Sequence, residues 1–368
     1  MEESNTNSPD QAQSFKCLQC SAKLTFSAGA SSLKCLYCNY ENPIPRSEED
    51  IHELDYHAFL QQASENEPTE ECLTVECNEC GAQLKTEADV TSGECPYCGV
   101  DMVMTTLSKK LIKPKALLPF KITGKEALAS YRSWCDRLWF APNALKKKAK
   151  IDGGINGIYA PCWTYDTNSS SYYTGRRGEY YYVTERRTST DSEGKRTTKN
   201  VRVRKTRWYF TSGVVCLAFN DVLVMASRSL PENYARQLEP WDLENLKAYQ
   251  DEYVSGFRTE SYQVDLEEGF EAGKEIMDDA IRRAVKQDIG GDTQRISTVK
   301  TEHSNITFKH ILLPLWLSVY RYNGSTYRFM VNARTGEVQG ERPWSPAKIT
   351  ALITAVASII GVFALYYE

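Results

Sequence analysis

Eight cysteines in four Cys-x-x-Cys pairs constrain this chain more than any other feature of its sequence. Cys17-Leu-Gln-Cys20 and Cys35-Leu-Tyr-Cys38 are separated by fourteen residues, and so are Cys77-Asn-Glu-Cys80 and Cys95-Pro-Tyr-Cys98. Moving the first unit by 60 positions superimposes all four cysteines, with Ala22 on Ala82, Leu24 on Leu84 and Tyr37 on Tyr97. That self-similarity marks an internal duplication. Each pair makes a tight turn that aims two thiolates at one point, and two such turns joined by a hairpin-length spacer form a tetrahedral shell for zinc. A shell closed by four thiolates leaves no position for water, so the sites read as structural. Units this small need metal to fold, because they cannot bury enough apolar surface alone. The expectation is two zinc ribbons, 15–42 and 75–103, each with one structural Zn2+. Redox dithiols would want a thioredoxin-like βαβ setting, which does not surround these pairs. Iron in the same shell is the other alternative.

The start of the chain, MEESNTNSPDQAQSF, has neither a basic opening nor an apolar stretch, so it does not read as a secretory signal. A reducing compartment follows as the expectation, and metal rather than disulfide for the paired cysteines. Residues 1–14 read as a disordered tail. Cys72, Cys135, Cys162 and Cys216 have no paired spacing and read as buried structural thiols. Between the ribbons, 47–71 reads as a helix and an acidic linker. Ser47-Glu-Glu-Asp50 would open the helix, with Ile51, Leu54, Ala58 and Leu60 as its apolar stripe and His52 and His57 in solvent.

At the other end, Ile349–Tyr367 runs nineteen residues without a charge. At ~1.5 Å per residue it spans about 28 Å, close to the ~30 Å hydrocarbon core of a bilayer. Trp344, Tyr366 and Tyr367 suit the two interfaces, and Arg342 and Lys348 flank the start. The positive-inside rule then places the preceding chain in the cytosol, behind a C-terminal transmembrane helix. Small residues at Ala351/Ala355 and Ala357/Gly361 permit close approach of a second copy, so a homodimer is one partner reading. Charge is segregated as well. Residues 1–101 hold 19 acidic and 5 basic side chains, a net −14, whereas the remainder holds 29 and 39, a net +10.

The region 105–341 mixes periodicities. Helices are predicted over Gly124–Phe140 and Glu268–Ile289, and strands over Ile158–Tyr165, Tyr180–Thr184, Val201–Tyr209 and Val214–Val224. A closing meander runs from Leu315–Tyr322 through an Asn323-Gly324 turn to Thr326–Val331 and a short last strand. The class is α+β with a mainly antiparallel sheet. Ile158-x-x-Pro161-x-Trp163 recurs as Ile311-x-x-Pro314-x-Trp316, 153 positions later. Two related subdomains and a chance recurrence both account for that echo.

The two ribbons, then GIYAPCWTYD (157–166), YYTGRRGEYYYV (172–183), LEPWDL (238–243), YQVDLEEGFEAG (262–273) and HILLPLWLSVYRYNGSTYRFMVNARTGEVQGERPWS (310–345), resemble a bacterial family of membrane-linked proteins called TFIIB-type zinc-ribbon-containing. The resemblance runs through nearly the whole chain and implies the bacterial inner membrane, crossed once. Members also carry the label primosomal protein N′ (replication factor Y), superfamily II helicase. A helicase motor needs the phosphate-cradling Gly-x-x-x-x-Gly-Lys-Ser/Thr loop, and no such loop occurs here. His-Glu-x-x-His, Gly-x-Ser-x-Gly and a dinucleotide fingerprint are also missing, so no catalytic residue is assigned.

What remains is a basic, aromatic hairpin. Residues 176–207 hold eleven Lys/Arg against four acids. Its expected binding residues are Arg186, Arg187, Lys195, Arg196, Lys199, Arg202, Arg204, Lys205 and Arg207, around a tip at Asp191–Gly194. Alternation with Val201 and Val203 puts Arg202 and Arg204 on one face at strand period. Anionic lipid, an acidic protein surface and nucleic acid are the three targets. The strongly acidic ribbons would repel phosphate, which ranks nucleic acid below the other two. The function this implies is a cytoplasm-facing scaffold or adaptor at the membrane that recruits protein partners, with a membrane-tethered nucleic-acid-binding protein as the alternative.

Overall fold

The computed structural model describes residues 15–45, 47, 50–62, 69–85, 92–103, 106–143, 145, 150–190, 196–230 and 236–367. The predicted tail 1–14, the tip 191–194 and Lys195 lie outside them. The fold is α+β with mainly antiparallel pairing. Its main sheet is built on β1 (Lys150–Thr190), β2 (Arg196–Met225), β3 (Thr293–Tyr322), β4 (Ser325–Asn332) and β5 (Val338–Gly340), ordered β2-β1-β3-β4-β5. The helices are α1 (Tyr56–Gln62), α2 (Gly124–Arg137), α3 (Leu266–Ile289) and α4 (Pro346–Tyr367), with a four-residue turn of helix at Asp251–Val254.

The four short strands predicted over 158–224 are two long ones. Gly175 and Gly178 look like breaks in the sequence but sit inside β1. A Cβ at Gly175 would fall 2.6 Å from the Arg295 carbonyl oxygen, and one at Gly178 would meet Thr293, Thr206 and Trp208 side chains within 3 Å. Both glycines serve close approach of neighbours, a use that strand glycines share with turns. The Asn323-Gly324 turn is present, with positive φ at both residues (50° and 83°), as a two-residue hairpin requires.

The sequence echo is a real internal symmetry. Pro161 and Pro314 lie in the middle of β1 and β3, where a residue without an N–H is normally excluded. Each sits where its strand changes neighbours. Beyond Cys162 β1 pairs with β2, but Ile158–Tyr159 pair in parallel with Arg258–Thr259. Beyond Leu315 β3 pairs with β4, but Ile311–Leu312 pair in parallel with Ala116–Leu117.

The surrounding hydrogen bonds repeat. The Ala226 amide donates to the Pro161 carbonyl (2.9 Å) and that of Ala333 to Pro314 (3.1 Å). The Ala226 carbonyl accepts from Gln263 and Val264, and that of Ala333 from Lys121 and Ile122. The Trp163 indole donates to the Val264 carbonyl (2.9 Å) and that of Trp316 to Ile122 (3.0 Å). Each acceptor immediately precedes a helix N-cap, Asp265 for α3 and Thr123 for α2, and each cap bonds the amide of a glutamate three residues on. Every half therefore lends its tryptophan to the other half's helix.

Both helices lie on one face of this sheet. Phe270, Met277, Ile281 and Val285 of α3 pack on Trp163, Tyr165 and Phe308. Tyr131 of α2 stacks on Phe329, with ring centroids 3.8 Å apart, beside Tyr320. The helix predicted from Ser47 begins instead at Tyr56, where the Asp55 carboxylate accepts the Ala58 amide (2.7 Å). Leu54 and Asp55 extend as a strand against Phe308 and Thr307, and Leu54 and Leu60 of the predicted stripe pack beside the more deeply buried Tyr56 and Phe59. Phe59 meets the Phe308 ring edge-on at 5.0 Å. Thr69–Glu71, read as linker, is strand and pairs with Leu111–Ile112 and Lys110.

Exchanging either indole donor for a ring without one, Trp163→Phe or Trp316→Phe, is expected to cost on the order of 1–2 kcal/mol, because a carbonyl loses its partner at a helix entry. Urea denaturation monitored by circular dichroism checks this. Near-equal losses for the two variants follow from the symmetry.

Candidate metal centres and a basic sheet arm

Ribbon 1 contains the short strands Ser32–Lys34 and Glu41–Pro43, and ribbon 2 contains Gln83–Lys85, Ser92–Glu94 and Asp101–Val103. All four Cys-x-x-Cys turns have the same backbone. The amide of the residue after the second cysteine returns to the carbonyl of the first: Ser21 to Cys17, Asn39 to Cys35, Gly81 to Cys77 and Gly99 to Cys95, at 2.8–3.0 Å. Those four closing residues all have positive φ, between 58° and 73°. The turn needs a left-handed residue there, which Gly and Asn adopt most readily.

The turns bring Cys17, Cys20, Cys35 and Cys38 together, and likewise Cys77, Cys80, Cys95 and Cys98, with each set of sulfurs within 4.8 Å of one another. The facing sulfurs are 3.5 Å apart in ribbon 1 and 3.6 Å apart in ribbon 2. A disulfide requires ~2.05 Å. Sulfurs at ~2.3 Å from a tetrahedral ion are about 3.8 Å from one another, so both sets are geometrically suited to hold a metal ion, consistent with zinc. Four thiols this close do not ionise independently. Contact with the Cys95 sulfur draws Cys80 down to about 5, while burial pushes Cys98 up to about 11. A divalent ion lets all four be thiolates together.

The ribbons are built into the sheet. Leu24, Phe26 and Leu33 of ribbon 1 share a core with Phe120, Tyr159 and Leu312, on the face that carries α2 and α3. Ala82, Leu84, Tyr97 and Met102 of ribbon 2 share another with Ile158, Ala160, Leu315 and Leu317, on the opposite face. The two centres thus clamp the crossing of β1 and β3 from both sides.

Two supporting groups escaped the sequence reading. Buried Asn42 donates to the Cys17 sulfur (3.7 Å) and to the Leu33 and Tyr40 carbonyls, and accepts the Leu18 amide (2.9 Å). An asparagine inside a strand was the available signal. The corresponding position of ribbon 2 is Met102, which is buried. There Tyr97 donates to Glu260 (2.5 Å), a buried carboxylate that also accepts from Ser227 and Ser229. Burial raises Glu260 to about 7, with the three hydroxyls opposing the shift. The repeat matches Tyr37 with Tyr97, yet Tyr37 is exposed and Tyr97 buried. Nothing in the sequence points to Glu260.

A further polar cluster joins α1's entry to the sheet. Lys309 pairs with Glu53 (2.8 Å) and Asp221 (2.7 Å), and the Asp166 carboxylate accepts the Asp221 amide (2.7 Å). The three carboxylates could group around a cation, but the Lys309 ammonium already serves them. Burial pushes Asp166 up to about 6, with Glu53 adding to the shift. Burial acts on Glu53 too, but the Lys309 and Thr307 partners hold it below the usual carboxylate range.

Of the four unpaired cysteines, Cys135 and Cys162 are buried as expected. Cys72 is half-buried and Cys216 is exposed, which corrects the reading for both. Cys216 stands opposite Ser170 on the sheet face that the helices leave uncovered.

The basic hairpin is the far end of β1 and β2. Past Gly178, which pairs with Thr293, β3 stops, so 179–190 and 196–207 continue as a two-stranded arm. Unbroken register from Tyr172 to Thr190 sorts its side chains onto two faces. On the side of α3, to which Tyr173 belongs, stand Arg177, Arg187, Lys199, Lys205 and Arg207 with Glu179 and Glu185. There Arg177 pairs with Glu179 (2.6 Å) and Lys205 with Glu185 (2.7 Å). The other face holds Arg176, Arg186, Arg202 and Arg204 among Tyr180, Tyr182, Trp208 and Phe210. Arg202 lies over the Tyr182 ring at 4.1 Å and Arg204 over Tyr180 at 4.2 Å. Arg196 lies beside the tip, opposite Thr190.

Residues 350–364 of α4 are exposed, and the helix is long and apolar enough to cross a membrane. It starts beside the end of α2. The Ser345 amide donates to the Phe140 carbonyl (2.8 Å), and Lys348 donates to the Trp139 and Ala141 carbonyls (2.9 and 2.8 Å). Trp139 and Trp344 are exposed beside it.

No family model matches the chain. A protein of Bacillus subtilis (strain 168) described as uncharacterized protein YdjG is 26% identical over 345 residues, 94% of this chain and 94% of that protein.

Elemental analysis is expected to find two bound metal ions per chain, one lost with Cys17→Ser and the other with Cys77→Ser. Asn42→Ala should weaken the first centre by about 10–100-fold in a chelator competition and leave the second unchanged. For Asp166 the sign follows from its raised pKa. Between the unfolded value near ~4 and the folded value of about 6, the folded chain keeps a proton that the unfolded chain releases. The native chain should therefore lose stability relative to Asp166→Asn as pH rises through that window, as read by thermal melts at matched pH.

Proposed function

We propose that this chain is a single-span, membrane-anchored scaffold at the cytoplasmic face of a bacterial inner membrane, and that both its centres hold structural zinc. In this reading α4 is the tail anchor, the metal-clamped sheet is a rigid spacer, and the basic arm holds an anionic partner. The resemblance to the TFIIB-type zinc-ribbon-containing membrane proteins belongs to the same proposal.

One observation carries it: the apolar helix and the basic arm leave from opposite ends of a single strand. β1 begins against Tyr320 and Arg321, beside the α2 core from which α4 departs, and ends at the arm. Its 41 residues make a contour of about 130 Å at ~3.3 Å each. A protein whose only task was to press cations onto its own bilayer would carry them beside its anchor. Beside α4 this chain has the exposed Trp139 and Trp344 with Arg342 and Lys348, and it carries a second set of cations, those of the arm, at the far end.

The ribbons are part of the spacer. Their apolar residues are spent on the sheet, so they stiffen the spacer. Alkaline carbonate extraction is expected to leave the full chain in the membrane pellet and to release a variant ending at Ser345, with both proteins keeping their metal. Release of the full chain by carbonate would refute the anchor.

A further inference from the structure

We propose that the helix-free face of the arm binds single-stranded nucleic acid, with bases stacked on its rings and guanidiniums and phosphates held by its arginines. The proposal rests on the reading of the arm as the partner-holding end and names the partner.

The two faces differ in how their charge is balanced. On the α3 side Arg177 and Lys205 have carboxylate partners within the arm. On the other face β1 carries no acid from Asn168 to Thr188, and β2 none from Thr198 to Ala218. Among the described residues, Arg176, Arg186, Arg202 and Arg204 pair with no carboxylate. Folding alone gives no reason to strip one face of every acid, because like charges this close repel each other. An anionic ligand supplies the missing counter-charge.

The flat groups choose among anions. Phe210 is 75% exposed and Tyr172 and Tyr182 are each 53% exposed. Arg202 and Arg204 lie over the Tyr182 and Tyr180 rings at 4.1 and 4.2 Å, and Arg295 of β3 lies over Trp208 at 4.3 Å. Side chains on one face of a strand repeat every ~6.7 Å, so the arm offers two parallel rows of planar, cationic steps. Unpaired bases stack on aromatic and guanidinium planes in this way. A duplex hides its base faces, and neither a bilayer nor an acidic protein presents planar rings in series with negative charge.

Distance removes the objection from the acidic ribbons. Ribbon 2 meets β1 at Ile158 and Ala160. Arg176 lies about 50 Å further along at ~3.3 Å per residue, several times the ~8 Å screening length in physiological salt.

Fluorescence anisotropy of the full chain in neutral-lipid nanodiscs, with labelled oligo-dT at two salt concentrations, tests this. Parallel arms use a DNA duplex, anionic vesicles and polyglutamate. The native chain should bind oligo-dT tightest, and more weakly as salt rises. Arg202→Ala with Arg204→Ala should lower affinity about tenfold or more and flatten the salt dependence. Arg202→Lys with Arg204→Lys should keep the salt dependence, and Tyr180→Ala with Tyr182→Ala should lose affinity at an unchanged salt slope. Arg187→Ala with Lys199→Ala, on the opposite face, should change affinity less than about threefold. Circular dichroism confirms that each variant keeps its sheet. Absence of salt-dependent binding, equal losses from the two faces, or tighter binding to duplex, vesicles or polyglutamate would overturn the proposal. The anchor is tested by membrane retention, so either reading fails separately.

Discussion

The antiparallel crossing of β1 and β3 is the constraint on which everything else in this molecule depends. At that crossing two prolines interrupt the outer pairing, two tryptophans reach across to the opposite helices, and two metal-binding modules pack from opposite faces. Ile158, Tyr159, Leu312 and Leu315 are all fully buried there. The same pairing, carried on past the helices, becomes the arm. A two-stranded ribbon is marginal in water by itself. The arm keeps its register because β1 is already fixed by β3 up to Gly178 and because cation–π pairs and a Val183–Val203 pair continue the ladder.

The metal centres make sense in that light. Each ribbon is too small to hold its own fold, and each contributes a patch of apolar side chains to the sheet. With an ion bound in each set, its loss would unfold the module that covers one face of the crossing, so metal occupancy and sheet integrity would be one linked equilibrium. Asn42 and the Tyr97–Glu260 contact show the linkage in detail. One orients a ligating cysteine from within its ribbon, and the other ties a ligand loop to the segment that pairs beside Tyr159.

Much of this was legible in the residues, for physical reasons that differ by element. Cysteine spacing is local chemistry, so the two sets of four cysteines that the fold gathers could be read directly. The apolar run at the end and the periodic faces of α2 and α3 are local as well. The length of β1 and β2 was not legible, because glycines that accommodate neighbouring strands look like glycines that turn. The helix start at Tyr56 was missed because Leu54 and Asp55 are claimed by β3, far away in sequence. Glu260, Glu53 and Lys309 acquire their roles only through contacts between distant segments. The echo around Pro161 and Pro314 was visible as a pattern, but its meaning, an exchange of tryptophans between two halves, required the fold.

In the proposed reading α4 enters the membrane at one end of the sheet and the arm stands at the other. Energy transfer from a donor fluorophore on the arm to acceptor-labelled lipid headgroups measures this directly, in the full chain reconstituted in a bilayer. A donor at Thr198 should show almost no transfer, while one at Trp139, beside the start of α4, should transfer strongly. Equal, strong transfer from both positions would place the arm on the bilayer and contradict the account.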